Sequence, residues 1–280
     1  MPIKDVFLPL VGDPSNAAVA AIDKCVAVSG DFGARICALA IEEDVPVRPQ
    51  VMISSDLDNA AAAEALRSVT DAHGMLKAFD SAAARFGVRN ERSLRRLASS
   101  DIARVFTEYA RLSDLSLVPM KPDNARSEKI IERLLLGSGR PILMCSEELA
   151  SELPVAFDEV LIAWDHSAPA ARAVGDALPM LKAAAAVRII TATDRNTPEE
   201  MQSGAALVGH LAEHRVTASF ETVKIGGSSI GKVFEAYVNA NAIDLLVMGA
   251  YHHSRLNEIV WGGATKTVIG RPPCWVMMSH

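Results

Sequence analysis

The residues of this 280-residue chain that could do chemistry gather in two stretches of its second half. Trp164-Asp165-His166-Ser167 follows a short apolar run, and Met248-Gly249-Ala250-Tyr251-His252-His253-Ser254 follows another, continuing to Trp261-Gly262-Gly263-Ala264-Thr265. A glycine pair opening a helix lets backbone N–H groups come close to an anion, and the helix dipole favours negative charge there. Asp165 supplies a carboxylate acceptor at the opposite lip of the cleft that such loops would form. The pattern is suited to holding a ligand rather than to making or breaking bonds.

Three other arrangements fall short of chemistry. Gly226-Gly227-Ser228-Ser229-Ile230-Gly231-Lys232 fits G-x-x-x-x-G-K, but residue 233 is Val, so the hydroxyl that would ligate Mg²⁺ is missing. Ser228 or Ser229 capping a helix is the simpler role. His252-His253, with His166 and His280, has no carboxylate or Cys at zinc-ligand spacing, so no metal site is expected. Ser167 and Ser254 lack a G-x-S-x-G elbow and an evident base, so no catalytic residue is assigned.

The elements that must position these loops are written twice. Asp5-Val6-Phe7-Leu8 aligns with Asp158-Glu159-Val160-Leu161, 153 residues on, and Ala34-Arg35-Ile36 with Val187-Arg188-Ile189. Ile102, Val105, Phe106 and Tyr109 recur as Ile230, Val233, Phe234 and Tyr237; Asp114-Leu115 recurs as Asp244-Leu245, and Gly139-Arg140-Pro141 as Gly270-Arg271-Pro272. The offset drops because the first half carries a long Ala-rich helix, 56–86, where the second has a shorter one, 197–214. Two homologous domains are therefore expected, 1–147 and 155–280, joined by the acidic stretch 146–153. Each alternates short apolar strands with helices of 3.6-residue periodicity. Near-continuous apolar strands in serial βα units imply an α/β fold, a doubly wound parallel sheet covered on both faces, occurring twice. Ligands of such sheets sit beyond the carboxyl ends of the strands, where strand order reverses. In the second half the loops at that point are those after 164 and 248. In the first, Pro119, Pro122, Glu132 and Arg133 align with Gly249, His252, Gly262 and Gly263, and Gly12 with Asp165. Proline has no N–H to offer an anion and Glu132 would repel one, so the first half is expected to hold no such ligand.

Composition narrows the classes further. Half the residues are hydrophobic and 22% are charged, which excludes disorder, and the net charge of −6 gives no general pull toward nucleic acid or an anionic membrane. Arg92, Arg95, Arg96 and Arg104 read as a solvated face. No apolar run reaches the ~20 residues of a membrane span, and the first residues lack signal-peptide character. Cys25, Cys37, Cys145 and Cys274 are scattered singly in apolar stretches, as reduced thiols of a cytoplasmic protein would be.

The strand-end Asp165, the helix start after it, and the run DLLVMGAYHHSRLNEIVWGGATKTVIGRPPCWVMM together resemble the universal stress protein family in its tandem-domain form, with a Rossmann-like fold. The resemblance covers essentially the whole chain and is strongest from Asp244 onward. It implies ATP or ADP as ligand, with or without Mg²⁺. Asp165 and Ala192 would border adenine and ribose; Met248, Gly249, Tyr251 and His252 would line the sugar and phosphate side; Gly262, Gly263, Ala264 and Thr265 would hold the phosphates. This chain departs from the family's G-x-x-G, nine residues, G-[S/T] pattern twice: His252 replaces the second Gly, and Gly263 replaces Ser or Thr. The expectation is a cytoplasmic stress protein, not an enzyme beyond slow incidental ATP hydrolysis, whose second half binds adenine nucleotide. The alternative is a scaffold in the stress response that binds none. Expected partners are the nucleotide, the two halves as an intramolecular pseudo-dimer docked through 141–145 and 274–278, and an unidentified protein. A homodimer of whole chains is compatible with the sequence.

Overall fold

The computed structural model describes residues 2–44, 55–250 and 261–280. Strands and helices alternate along each half. The first runs β1 (Asp5–Leu10), α1 (Asn16–Asp31), β2 (Arg35–Glu43), α2 (Ser55–Phe86), β3 (Asn90–Leu97), α3 (Ser99–Ala110), β4 (Leu115–Met120), α4 (Ala125–Ser138) and β5 (Ile142–Ser146). The second runs β6 (Glu159–Ala163), α5 (Ala168–Ala183), β7 (Ala186–Ala192), α6 (Pro198–Glu213), β8 (Ala218–Val223), α7 (Ile230–Asn241), β9 (Leu245–Gly249), α8 (Trp261–Gly270) and β10 (Trp275–Ser279).

Side-chain hydroxyls and amides set most of the helix starts. Ser15, Asn124, Ser167, Thr197 and Ser229 each accept a backbone N–H of the first turn, satisfying donors that have no partner inside the helix. α4 stops at Gly139, whose left-handed φ of 67° favours a residue without a Cβ.

Among the described residues ten strands form one sheet, in the order β3-β2-β1-β4-β5-β10-β9-β6-β7-β8. Every neighbouring pair is parallel except β5 and β10, which run antiparallel. Successive side chains of a strand point to opposite faces, so buried strands feed two cores. Val6, Leu8, Val160 and Ile162 enter the core beneath α1, α2, α5 and α6. Phe7, Leu161, Val276 and Met278 enter the other, beneath α3, α4, α7 and α8.

The edge strands that would have stood bare in each half meet one another. Val276 pairs with Met144, Met277 with Leu143 and Met278 with Ile142. Ile142 and Val276 occupy equivalent places in their own halves, next to Ser116 and Leu246. The local two-fold axis therefore passes between Leu143 and Met277, and the seam is self-complementary.

Since Ile142 matches Val276, 134 residues on, the alignment of Gly139-Arg140-Pro141 with Gly270-Arg271-Pro272 does not hold, and the structure corrects the repeat in three further places. Asp114 accepts the N–H groups of Lys4 and Asp5 at 2.8 and 3.0 Å, and Asp244 accepts those of Asp158 and Glu159, both at 2.9 Å. Asp5 thus corresponds to Glu159 rather than Asp158. A one-residue shift of a strand exchanges its two faces, so burial in separate cores decides the register that similar letters could not. β2 is displaced by two residues, which leaves its faces unchanged; here the pairing decides, since Ile36 lies beside Val6 and Val187 beside Val160. In α4 and α8, Ile130, Leu134 and Leu135 match Ala264, Val268 and Ile269 as the buried face, which sets Glu128 and Lys129 opposite Gly262 and Gly263. Glu132 and Arg133 stand mid-helix instead of at the helix start.

The arginines 92 and 96 lie on the edge strand β3, ion-paired with Asp80 and Asp44 at 3.1 and 3.0 Å, and Arg104 pairs within α3. All four cysteines are free; Cys25, Cys145 and Cys274 are buried. Burial, with Cys145 adjacent, pushes the Cys25 thiol well above its ordinary pKa.

The seam generates a prediction. Val276 is fully buried, so Val276→Lys forces an ammonium into the join, at a cost of about 3 kcal/mol or more. Thermal unfolding should shift clearly downward; an unchanged melting temperature would mean that the β5–β10 pairing is not what holds the halves together.

Candidate functional site

Beyond β6 the chain passes through Trp164, Asp165 and His166 to the cap Ser167. Asp165 Oδ1 accepts the Ser167 N–H at 3.0 Å, closing a turn in which His166 takes a left-handed φ of 62°. Among the described residues Oδ2 has no partner. Trp164 is held at both ends: its Nε1 donates to Ser203 Oγ at 2.8 Å, and its carbonyl accepts Thr191 Oγ1 at 2.8 Å. The His166 ring lies 5.9 Å from the Trp164 ring.

α6 supplies the facing wall. Thr197 and Glu200 form a reciprocal capping box, and the Glu200 carboxylate also accepts the Thr193 hydroxyl, tying the end of β7 to the start of α6. Between these elements lies a cleft of about 290 Å³, bordered by Asp165, His166 and Ala192 on one side and Glu199, Glu200 and Ser203 on the other. Three carboxylates and no Lys or Arg line it among the described residues, so the cleft itself favours a neutral or hydrogen-bond-donating group over a phosphate.

Of the residues expected from sequence, Asp165 and Ala192 share this cleft. Met248 and Ala264 are buried in the core beneath α7 and α8, and Thr265 is 2% exposed, so these three offer a ligand backbone rather than side chain. Gly249 has a packing cause. A Cβ there would stand 2.4 Å from Ala170 N and 2.6 Å from Pro169 C, so the first turn of α5 can cross the end of β9 only over a glycine. Gly262 falls in the first turn of α8; Gly263 follows it, exposed, and a Cβ at 263 would meet nothing within 4 Å. Tyr251 and His252 lie outside the described residues.

The run resembling G-x-x-x-x-G-K is structural. Gly226 and Gly227 have left-handed φ of 57° and 76°, and Asp194 Oδ1 accepts the N–H groups of Ile225 and Gly226, both at 2.9 Å. Ser229 caps α7, and a Cβ on Gly231 would meet Thr267 Cγ2 at 2.5 Å, so this glycine lets α7 pack on α8.

Sequence reasoning missed Glu199, Glu200 and Ser203 as cleft residues, although Thr197-x-x-Glu200 is a legible capping-box signal. It also missed a cleft of about 360 Å³ at the equivalent place in the first half. There the corrected register sets Val11 opposite Asp165 and Gly12 opposite His166, both latter positions left-handed. The extra turns of α2 bring Glu64, Arg67 and Asp71 over this cleft, and Arg126 spans it to pair with Glu43. Burial raises the pKa of Asp71, helped by the Asp13 charge and opposed by Arg67; burial also raises Glu147, which Lys121 opposes and Asp13 assists. Negative charge is already crowded here.

Among the described residues no group of three His, Cys, Asp or Glu side chains is placed to hold a metal ion, and no helix is long and apolar enough to cross a membrane.

Residues 156–280 match the universal stress protein family. Comparison with curated proteins found no match. Among solved structures, a universal stress protein from Archaeoglobus fulgidus aligns over 98% of this chain and 97% of its own, at 16% identity and a TM-score of 0.65. A functionally unknown protein from Pseudomonas aeruginosa aligns over 99% of this chain and 92% of its own, at 12% identity and a TM-score of 0.57. At these identities the likeness is one of fold.

The two glycines should behave oppositely when given a methyl group. Gly249→Ala drives a Cβ into backbone and should lower stability by about 2–3 kcal/mol, whereas Gly263→Ala should raise it by up to about 1 kcal/mol through helix propensity. Chemical denaturation of both variants checks this; equal effects would show that Gly249 is not set by the α5 crossing.

Proposed function

We propose, on the premise that residues 156–280 are a universal stress protein domain, that this half holds an adenine nucleotide, ATP or ADP, as a regulatory ligand. The observation that carries the reading is Asp165: its Oδ1 is committed to the turn, and its Oδ2 is left to accept from a base or ribose in a cleft of fitting size. The cleft's own carboxylates would keep the phosphates out of it and direct them toward the first-turn amide hydrogens of α8, which have no partners within the helix. In this reading the chain comprises two domains, 1–147 and 155–280, and the first is a structural copy whose cleft is crossed by the Arg126–Glu43 pair. In this reading the chain acts as a nucleotide-responsive protein of the cytoplasm rather than an enzyme, and ATP turnover is slow at most.

A scaffold that binds no nucleotide is the second reading. Its support is the anionic lining of the cleft, together with His252 and Gly263 at positions where the family carries Gly and Ser or Thr.

Calorimetric titration of the full chain with Mg-ATP separates the two. The first reading expects saturable binding that Asp165→Ala weakens about 10- to 100-fold, the worth of a hydrogen bond to a charged acceptor. An absence of heat at millimolar ligand, with no nucleotide released on denaturation, would overturn it. Under the scaffold reading, His252→Gly should then create the missing affinity.

A further inference from the structure

On the face of the sheet covered by α1 and α5, the two halves leave a slot of about 260 Å³ at their seam. It is distinct from both strand-end clefts. Ile3 precedes β1, Phe32 follows α1, Phe157 precedes β6, and Met180 lies in the last turns of α5; together they make an apolar interior drawn from both halves. Phe157 ties the slot to the core, lying 6.4 Å from the Phe32 ring and 5.9 Å, edge-on, from the ring of Trp275.

Two carboxylates stand at the rim, Asp31 and Asp158, and among the described residues no Lys, Arg or His lines the slot. Neither side chain has an ion-pair or hydrogen-bond partner among the described residues, in contrast to Asp5, which pairs with Arg35 at 2.6 Å. Asp31 is also the last residue of α1, whose final turn contains no basic side chain. A negative charge at that end opposes the helix dipole, so the fold gains nothing from it. An apolar interior with a solvent-exposed anionic rim fits a ligand that joins a positive charge to an apolar body.

We propose that the seam slot binds a small organic cation with an apolar body, its ammonium group between Asp31 and Asp158 and its hydrocarbon against Phe32, Phe157 and Met180. A ligand there contacts both halves at once and so stabilises their docked arrangement. The site owes nothing to the nucleotide reading and stands or falls separately.

The test uses the full chain and n-octylammonium chloride, with n-hexylammonium, 1-octanol and n-octyl sulfate as controls, followed by calorimetry and tryptophan fluorescence. Octylammonium should bind one-to-one, about 10-fold or more tighter than octanol, and octyl sulfate should not bind. Hexylammonium should be weaker by about fourfold for each methylene removed. Asp31→Asn with Asp158→Asn should abolish the preference for the cation over octanol, while Asp31→Asn alone leaves the melting temperature unchanged or raised. Ala183→Trp, which fills the slot from the exposed end of α5, should block both ligands. The proposal is overturned by an absence of saturable octylammonium binding, by octanol binding as tightly as the amine, or by unaltered amine affinity in the folded double Asp variant.

Discussion

Two parallel five-stranded sheets end in β5 and β10, and each of these strands is apolar and buried on both faces. Exposed, either would be a template for unwanted pairing. Their antiparallel join removes both edges in one step and sets the rest of the molecule. Because strands within a half are parallel while the halves oppose one another, the carboxyl ends of the two sets face opposite edges of the sheet. The two strand-end clefts are thereby kept apart, and α1 and α5 are brought side by side on one face, where the seam slot forms between them.

Glycine and aspartate illustrate how the same residue type answers to different causes in this chain. Gly249 is dictated by the backbone of α5, Gly231 by Thr267, and Gly226 and Gly227 by their left-handed backbone. Asp114 and Asp244 clamp the starts of the central strands through backbone N–H groups. Asp165 turns one oxygen to its own loop and leaves the other toward a cleft. Motif spacing cannot tell these apart, because the distinguishing contacts come from elements distant along the chain.

Carboxylates line or rim both strand-end clefts and the seam slot. Their surroundings differ. In the first-half cleft Arg126 pairs with Glu43, in the second-half cleft Glu200 is consumed by the capping box, and at the slot neither side chain has a partner among the described residues. A net charge of −6 does not reveal this; its distribution does.

The chain alone determined the α/β architecture and its duplication, because buried parallel strands must be apolar throughout and helices between them must carry an apolar stripe. It also marked Asp165 at a strand-end cleft, since serial βα units bring the ends of successive strands to one edge; Ala192 came only with the family resemblance. Register was beyond it: Asp5 against Glu159 rather than Asp158 differs by one letter yet exchanges the faces of a strand, and only packing against two separate cores selects between them. The acidic wall of α6, the first-half cleft under the long α2 and the slot between α1 and α5 were likewise decided by tertiary structure. Each is built from side chains whose nearness depends on how helices cross a shared sheet, and no periodicity along the sequence encodes a crossing.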